Sequence, residues 1–363
     1  MTKHGHQVIG NEGLLVRLER DIRDGSLSHA YILDGATGSG RHTVARHICA
    51  LLACQHRPGR VTTESAPAQM GFFDALTPLY AVQPDDGDAP LPCGVCPSCE
   101  KVYEGKCPDI QIIGRDGKAS IGVDAIRFLR MDVLIPPNDL DTKIYIIEDA
   151  ETMTVQAQNA LLLTLEEPPA YVLFLLLCHG TDALLETIRS RAPILRTCPV
   201  SDEDVRAYLQ AAHKSLPENE LQAVLLRAGG CIGQALTLAD AKAVKPLLKR
   251  RALTDDFLSG CVSRRADRVL AAVTQFGTKR DDVADTLSYV SLALRDLILL
   301  KATDHVVLAY YTSEDAALDL AFRFSTPVLL RIRHAVELAQ DGLERNGNVR
   351  LTLTQMCLDA GIL

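Results

Sequence analysis

Apolar residues follow two different rhythms along this chain, and the change from one to the other divides it. Leu14, Leu15, Leu18 and Ile22 fall at helical spacing and predict an amphipathic helix over Glu12–Asp24. Short continuous apolar runs then take over. Ser28–Leu33, Asp109–Ile113, Lys143–Asp149 and Tyr171–Cys178 have the length of buried strands, and Ile194–Arg196 gives another. Helical patterns separate them, from Val44 to Leu52, from Ile121 to Val133 and from Met153 to Glu166. The last is stopped by Glu167-Pro168-Pro169. Strands alternating with helices predict a parallel, doubly wound α/β sheet. After Val200 only helical periods remain. Asp202–Ala212, Glu218–Ala228 and Ile232–Leu238 make a small helical group. From about residue 243 to 363 the patterns are longer, and stretches such as Leu287–Lys301 suit helices packed in a bundle and against partners.

One stretch interrupts the α/β alternation. Gln55–Pro92 is rich in Pro, Asp, Gly and Ala and has little periodicity. It reads as an inserted loop with a short helix near Gly71–Leu76. It ends in Cys93-Gly94-Val95-Cys96-Pro97-Ser98-Cys99, three thiols whose two-residue gaps can aim all of them at one ion. Zinc takes four such ligands in a tetrahedron. The expected fourth is Cys54, at the end of the preceding helix, with His56 and Cys107 in reserve. No open coordination position or general base accompanies the cluster, so the expected metal is structural.

Composition narrows the function. The chain has 363 residues, enough for two or three domains, and 38 basic against 46 acidic residues give a net charge of −8. That balance argues against a protein gripping DNA alone over a broad basic face, though not against a contribution to DNA binding within a larger, more basic assembly. No signal sequence is visible, and no apolar run reaches the ~18–20 residues of a membrane span. The eleven cysteines are therefore expected to be mostly reduced, in the cytoplasm.

The candidate chemistry sits at Leu33–Thr43. A strand, the glycines Gly35, Gly38 and Gly40, and a helix follow one another, which is the setting of a phosphate-binding loop. The pattern G-x-x-x-x-G-K-[ST] fails at its two chemical positions, where Arg41 stands for Lys and His42 for the magnesium-binding hydroxyl, with Thr43 one place further on. Glu148 and Asp149 end a later strand where P-loop nucleotidases present acids to the metal and the attacking water. His29, alone at a strand start, is expected to be structural.

Taken in order, His29-Ala30-Tyr31-Ile32-Leu33, the glycine loop, the cysteine cluster, Asn159–Pro169 with its Leu-Glu-Glu-Pro-Pro ending, and Ser190-Arg191 resemble the bacterial DNA polymerase III clamp-loader subunits, a branch of the AAA+ family. The resemblance spans residues 7–240. It implies an AAA+ P-loop-type α/β module over 1–200 with a zinc-binding insertion at about 54–107. A helical lid over 201–241 and a helical collar over 242–363 follow, the collar assembling into a hetero-pentamer. It further implies structural Zn²⁺ on Cys54, Cys93, Cys96 and Cys99. The implied partners are the tau/gamma motor and delta subunits, the sliding clamp and primed DNA, with no membrane.

Several departures point away from the ATP-hydrolysing motor. Besides Arg41 and His42, the acid pair is reversed to Glu148-Asp149, and Gly233 stands where the motor's lid carries an Arg. Cys178-His179 occupies the sensor position, and the motor's long C-terminal extension is not expected here. Each lost contact of this kind costs about 10²–10³ in rate, so no intrinsic ATPase is expected and ATP is not expected to be held productively. The resemblance assigns Arg191 as an arginine finger reaching a neighbour's ATP; the family's third residue, Cys, is Ala192 here. Two rival readings stay open. One is an active motor subunit or other AAA+ ATPase, which tight, magnesium-dependent ATP binding would favour. The other is a zinc-dependent nucleic-acid-binding module, disfavoured by the net charge and by the lack of basic or aromatic residues within Cys93–Cys99.

Overall fold

The short apolar runs assemble into one sheet. In the computed structural model, which describes residues 8–57, 91–212, 216–303, 308–311 and 313–362, five strands pair in parallel in the order β2-β3-β4-β1-β5. They are β1 (Ala30–Asp34), β2 (Ile110–Ile113), β3 (Lys143–Ile147), β4 (Val172–Cys178) and β5 (Ile194–Arg196). This is the parallel sheet, with helices between the strands, that the alternating pattern predicts. One strand, β4, lies between the strand leading into the glycine loop and the strand ending in the acids. The helix expected near Gly71–Leu76 lies outside the described residues.

Successive strand residues face opposite sides, and both sides are covered, which is why the runs show no polar alternation. Tyr31, Leu33, Ile144, Ile146, Leu173, Leu175 and Leu177 pack with α1 (Glu12–Arg23), α2 (Arg41–Ala53) and Val102 of α3 (Pro97–Tyr103). Ala30, Ile32, Tyr145, Ile147, Phe174, Leu176 and Cys178 pack on the other side. There they meet α4 (Val123–Asp132), α5 (Val155–Glu166) and α6 (Glu186–Arg189). Every residue of β4 is buried. The two outer strands are less covered, β2 leaving Ile112 and β5 leaving Ile194 exposed.

Local chemistry sets the boundaries that matter for the site. After β3, Asp149 takes a left-handed conformation (φ 48°) and Ala150–Thr152 forms a 3-10 turn. The expected helix from Met153 therefore starts at Val155, where the Thr154 side chain caps the Ala157 N–H. Pro168 forces Glu167 out of helical geometry (φ −131°, ψ 66°), so α5 ends at Glu166.

The remaining helices are α7 (Asp202–Ala211), α8 (Glu218–Ala228), α9 (Ile232–Leu238), α10 (Ala241–Val262), α11 (Ala266–Thr274), α12 (Arg280–Ala302), α13 (Glu314–Arg323), α14 (Thr326–Glu344) and α15 (Val349–Asp359). Contacts divide the chain into two compact units. One is Met1–Asp204 with Gly230–Gln234; the other is Val205–Gly229 with Ala235–Leu363. The second has its own core, including Phe257, Leu287, Val290, Leu294, Ile332 and Val336. Its buried Asp296 accepts the N–H groups of Ala309, Tyr310 and Tyr311 and pairs with Arg295, so its charge is fully partnered. Within the described residues, no helix is long and apolar enough to cross a membrane.

Candidate functional site

The glycine loop lies where the carboxyl ends of β1, β3 and β4 meet, the place where open α/β sheets bind ligands. The Gly35 N–H donates to Cys178 O at 3.2 Å, and the Gly180 N–H donates to the Asp34 carboxylate at 2.9 Å. Gly35 has no room for a side chain, since a Cβ would stand 2.0 Å from Thr197 Oγ1. Gly38 (φ 78°) and Gly40 (φ 94°) take left-handed conformations that only glycine adopts freely. The glycines thus permit a tight turn from β1 into α2.

What fills its surroundings is this chain itself. The segment Gly230–Gln234 lies on the loop: the Gly233 N–H donates to Gly38 O at 3.0 Å. A Cβ on Gly38 would come within 2.4 Å of the Gln234 backbone nitrogen, and one on Gly233 within 3.0 Å of Gly38 Cα. Gly233 therefore sits in a tight place, where a side chain would require the loop backbone to give by a few tenths of an ångström. Ser39 is buried and shares a 2.7 Å hydrogen bond with Thr197.

The charged groups are paired off in the same way. Arg41, 4% exposed, donates from Nη2 to His179 Nε2 at 2.8 Å, and Thr37 Oγ1 lies 3.2 Å from the same nitrogen. Its Nη1 is buried without a partner among the described residues. His42 Nδ1 lies 3.2 Å from Glu148 Oε1, which brings two of the candidate residues together. Arg115 Nη2 reaches Asp149 Oδ2 at 2.8 Å. Thr43 is partly buried in the first turn of α2. Burial pushes the Cys178 thiol up to about 12, with Asp34 and Glu151 adding to the rise and Arg41 opposing it, which shows how closely these groups converge. Asp149, Glu151 and His179 bring ligand atoms within 4.8 Å of one another, but the Arg41 guanidinium on His179 repels a cation there. The partners His179, Arg115 and Gly233 were not legible as such in the sequence. His179 carried a positional hint, following β4, and Arg115 carried none.

Arg191 follows α6 on the side of the sheet that α5 covers. Its Nη1 donates to Thr187 O at 2.9 Å and its Nη2 to Glu166 Oε1 at 2.8 Å. The pair is partly exposed, 35% for the Arg191 side chain and 46% for that of Glu166. His29 immediately precedes β1, and its carbonyl accepts the Phe174 N–H at 2.9 Å.

On the flank, the structure brings together the four expected cysteines. The Sγ atoms of Cys54, Cys93, Cys96 and Cys99 all lie within 4.8 Å of one another. Cys54 caps the end of α2, and Cys96 caps α3 by accepting the Cys99 N–H at 3.4 Å. Tetrahedral zinc–thiolate bonds of about 2.3 Å set the sulfurs roughly 3.8 Å apart, so a small rearrangement would accommodate the ion. A hydrogen bond from Cys99 pulls the Cys54 thiol down to about 4, against the effect of burial. Of the reserves, His56 sits outside the four with Nδ1 3.3 Å from Cys93 Sγ, while Cys107 belongs to the sheet core. These four residues could hold a metal ion.

Comparison with known proteins gives a consistent likeness. Residues 70–201 match the family described as DNA polymerase III, delta subunit. The chain is 26% identical over 238 residues to the DNA polymerase III subunit gamma of Buchnera aphidicola, covering 64% of this chain and 57% of that protein. The subunit tau of Escherichia coli is 28% identical over 237 residues, which is 64% of this chain and 32% of the relative. The gamma/tau subunit of Mycobacterium bovis is 24% identical over 358 residues, 93% of this chain and 52% of the relative. The chain thus spans about half or less of the length of these curated relatives. Among solved structures, a gamma subunit-related protein of Thermotoga maritima aligns over 97% of this chain and 99% of its own, at 16% identity and a TM-score of 0.37, too loose to argue from.

Proposed function

We propose that this chain, a relative of the gamma and tau subunits of bacterial DNA polymerase III, is a clamp-loader subunit of the delta-prime type. In this reading it works in the cytoplasm within a hetero-pentamer of tau/gamma motors and delta, helping to place the sliding clamp on primed DNA. It does not hydrolyse ATP itself. Residues 1–200, 201–241 and 242–363 serve as AAA+ module, lid and oligomerising collar, and Zn²⁺ on Cys54, Cys93, Cys96 and Cys99 fixes the insertion to the end of α2.

The observation that carries the proposal is the set of internal pairs at the glycine loop. Arg41 with His179, His42 with Glu148 and Arg115 with Asp149 use this chain's own side chains where a nucleotide, its metal and an attacking water would need free ones. Arg is planar and bulky and does not replace a compact Lys between phosphates. Glu148, in contact with His42, and Asp149, held by the Arg115 guanidinium, are poorly placed to hold Mg²⁺ or orient water.

Arg191 supplies the remaining chemistry. It is partly exposed, and its side chain can turn a guanidinium towards an adjoining subunit's ATP, where fingers supplied in trans are worth about 10³–10⁵ in rate in GTPases. The test is the DNA-stimulated ATPase of the reconstituted loader carrying Arg191→Ala. A large fall is expected, and hydrolysis at the wild-type rate refutes the assignment.

The second reading, an ATP-hydrolysing motor subunit, is favoured by the gamma and tau names of the relatives and by the open donor at Arg41 Nη1. Equilibrium binding of ATP to the purified chain separates the two. Tight, magnesium-dependent binding with turnover above an Arg41→Ala control supports the motor; its absence supports the delta-prime type.

A further inference from the structure

Glu166 belongs to the Leu-Glu-Glu-Pro-Pro block that identifies the chain, yet nothing so far gives that block a task. Pro168 ends α5 at Glu166, so the carboxylate is fixed in the last turn of the helix. That is the wrong end for an acid, because the carbonyls there already carry partial negative charge. The placement is relieved by one group, Arg191, whose Nη2 donates to Glu166 Oε1 at 2.8 Å. The same guanidinium is tied at Nη1 to Thr187 O at 2.9 Å. Two tethers from two different helices hold a planar fork in one orientation. The fork has five N–H groups, and these two bonds leave its Nε–H among those still available.

We infer that Glu166 is the positioning residue of the Arg191 finger, setting the direction in which the guanidinium leaves this subunit. The inference rests on the proposed finger role of Arg191. An unheld arginine would have to give up the rotamer freedom of a long side chain at each encounter with a neighbour's triphosphate. Glu166 and Thr187 O restrict it beforehand. A carboxylate paired with the guanidinium would also repel an incoming triphosphate, so a merely inhibitory latch is the competing reading, with the opposite sign.

The test uses the full chain in the reconstituted loader, reading kcat and KM for DNA-stimulated ATP hydrolysis. Glu166→Ala is expected to lower kcat about tenfold with KM for ATP unchanged, the cost of a misplaced group. Glu166→Gln is expected to recover most of that loss, because its carboxamide oxygen accepts the same N–H. Glu166→Asp, which withdraws the carboxylate by one methylene, should fall between. Thermal unfolding and subunit assembly are followed for each variant, and Glu166→Gln carries the comparison if Glu166→Ala does not assemble. A kcat for Glu166→Ala at or above wild type, in a loader that Arg191→Ala disables, overturns the positioning role and leaves the finger standing. A Glu166→Gln complex as slow as Glu166→Ala overturns it too. If Arg191→Ala itself leaves hydrolysis unchanged, the proposed function fails instead.

Discussion

Replacing Gly38 by Ala isolates how firmly the chain covers its own phosphate loop. Two costs add. At φ 78° an L-residue loses about 1–2 kcal/mol to the clash of its Cβ with the backbone. That Cβ would also stand 2.4 Å from the Gln234 nitrogen and 3.1 Å from the Gly233 carbonyl carbon, both backbone atoms that cannot simply rotate away. Relief means moving Gly230–Gln234 off the loop and losing the bond from the Gly233 N–H to Gly38 O, worth about 1 kcal/mol, with further loss from a partner left buried. The total is about 2–4 kcal/mol. Gly40→Ala is the natural control. Its φ of 94° carries the same kind of conformational cost, but a Cβ there meets nothing within 4 Å. Urea unfolding followed by far-UV circular dichroism suits a chain without tryptophan. Gly38→Ala should fall below Gly40→Ala by at least about 1 kcal/mol, the value of the lost contact. Equal destabilisation by the two variants would refute the contact between loop and segment, and with it the account of why position 233 is glycine.

Three other expectations follow from the same geometry. Restoring the loop's missing pair with Arg41→Lys and His42→Thr should give no ATP turnover, because Arg115 still holds Asp149 and Gly233 still meets Gly38; hydrolysis by the double variant would contradict this. A purified chain should contain one zinc per molecule by elemental analysis, and Cys96→Ser should abolish its retention and lower the unfolding midpoint, since structural zinc is worth about 10–16 kcal/mol in small domains. Metal-free protein of undiminished stability would sink that reading. Asp132 accepts hydrogen bonds from Lys143 and Tyr145 that outweigh its partial burial and hold its pKa below the ordinary value. Its contribution is therefore present above the unfolded-state pKa and lost as pH falls through the lower folded one. Asp132→Asn should flatten that part of the acid limb of the stability curve, and an unchanged limb counts against the pairing.

The sequence made some of this legible and hid the rest for physical reasons. Strands covered on both faces appear as unbroken apolar runs, so β1, β3 and β4 could be found without any partner in view. The four thiols were legible because turn geometry is local for Cys93, Cys96 and Cys99, and the helix from the glycine loop has a plain end at Cys54. The pairing at the loop was not. Arg41 with His179 and Arg115 with Asp149 join residues brought together only by strand order, and a sequence shows which side chains have changed but not what they turn towards. Glycine at 233 could be noticed as an absence; only the approach of Gly38 gives it a steric reason. The start of α5 was misplaced by two residues because the 3-10 turn Ala150–Thr152 mimics helical spacing before Thr154 caps the helix proper.

The cysteine cluster has a consequence for how this chain can vary. Cys54 and Cys93 stand about forty residues apart, and a bound ion would hold the two ends of that stretch together in the folded chain. Because the entropy of closing a loop grows only logarithmically with its length, doubling the intervening stretch would cost just about 0.6 kcal/mol more. The metal would thus separate two selective pressures. The ends of the stretch would be fixed by four thiols, while its length could change at little cost to the sheet.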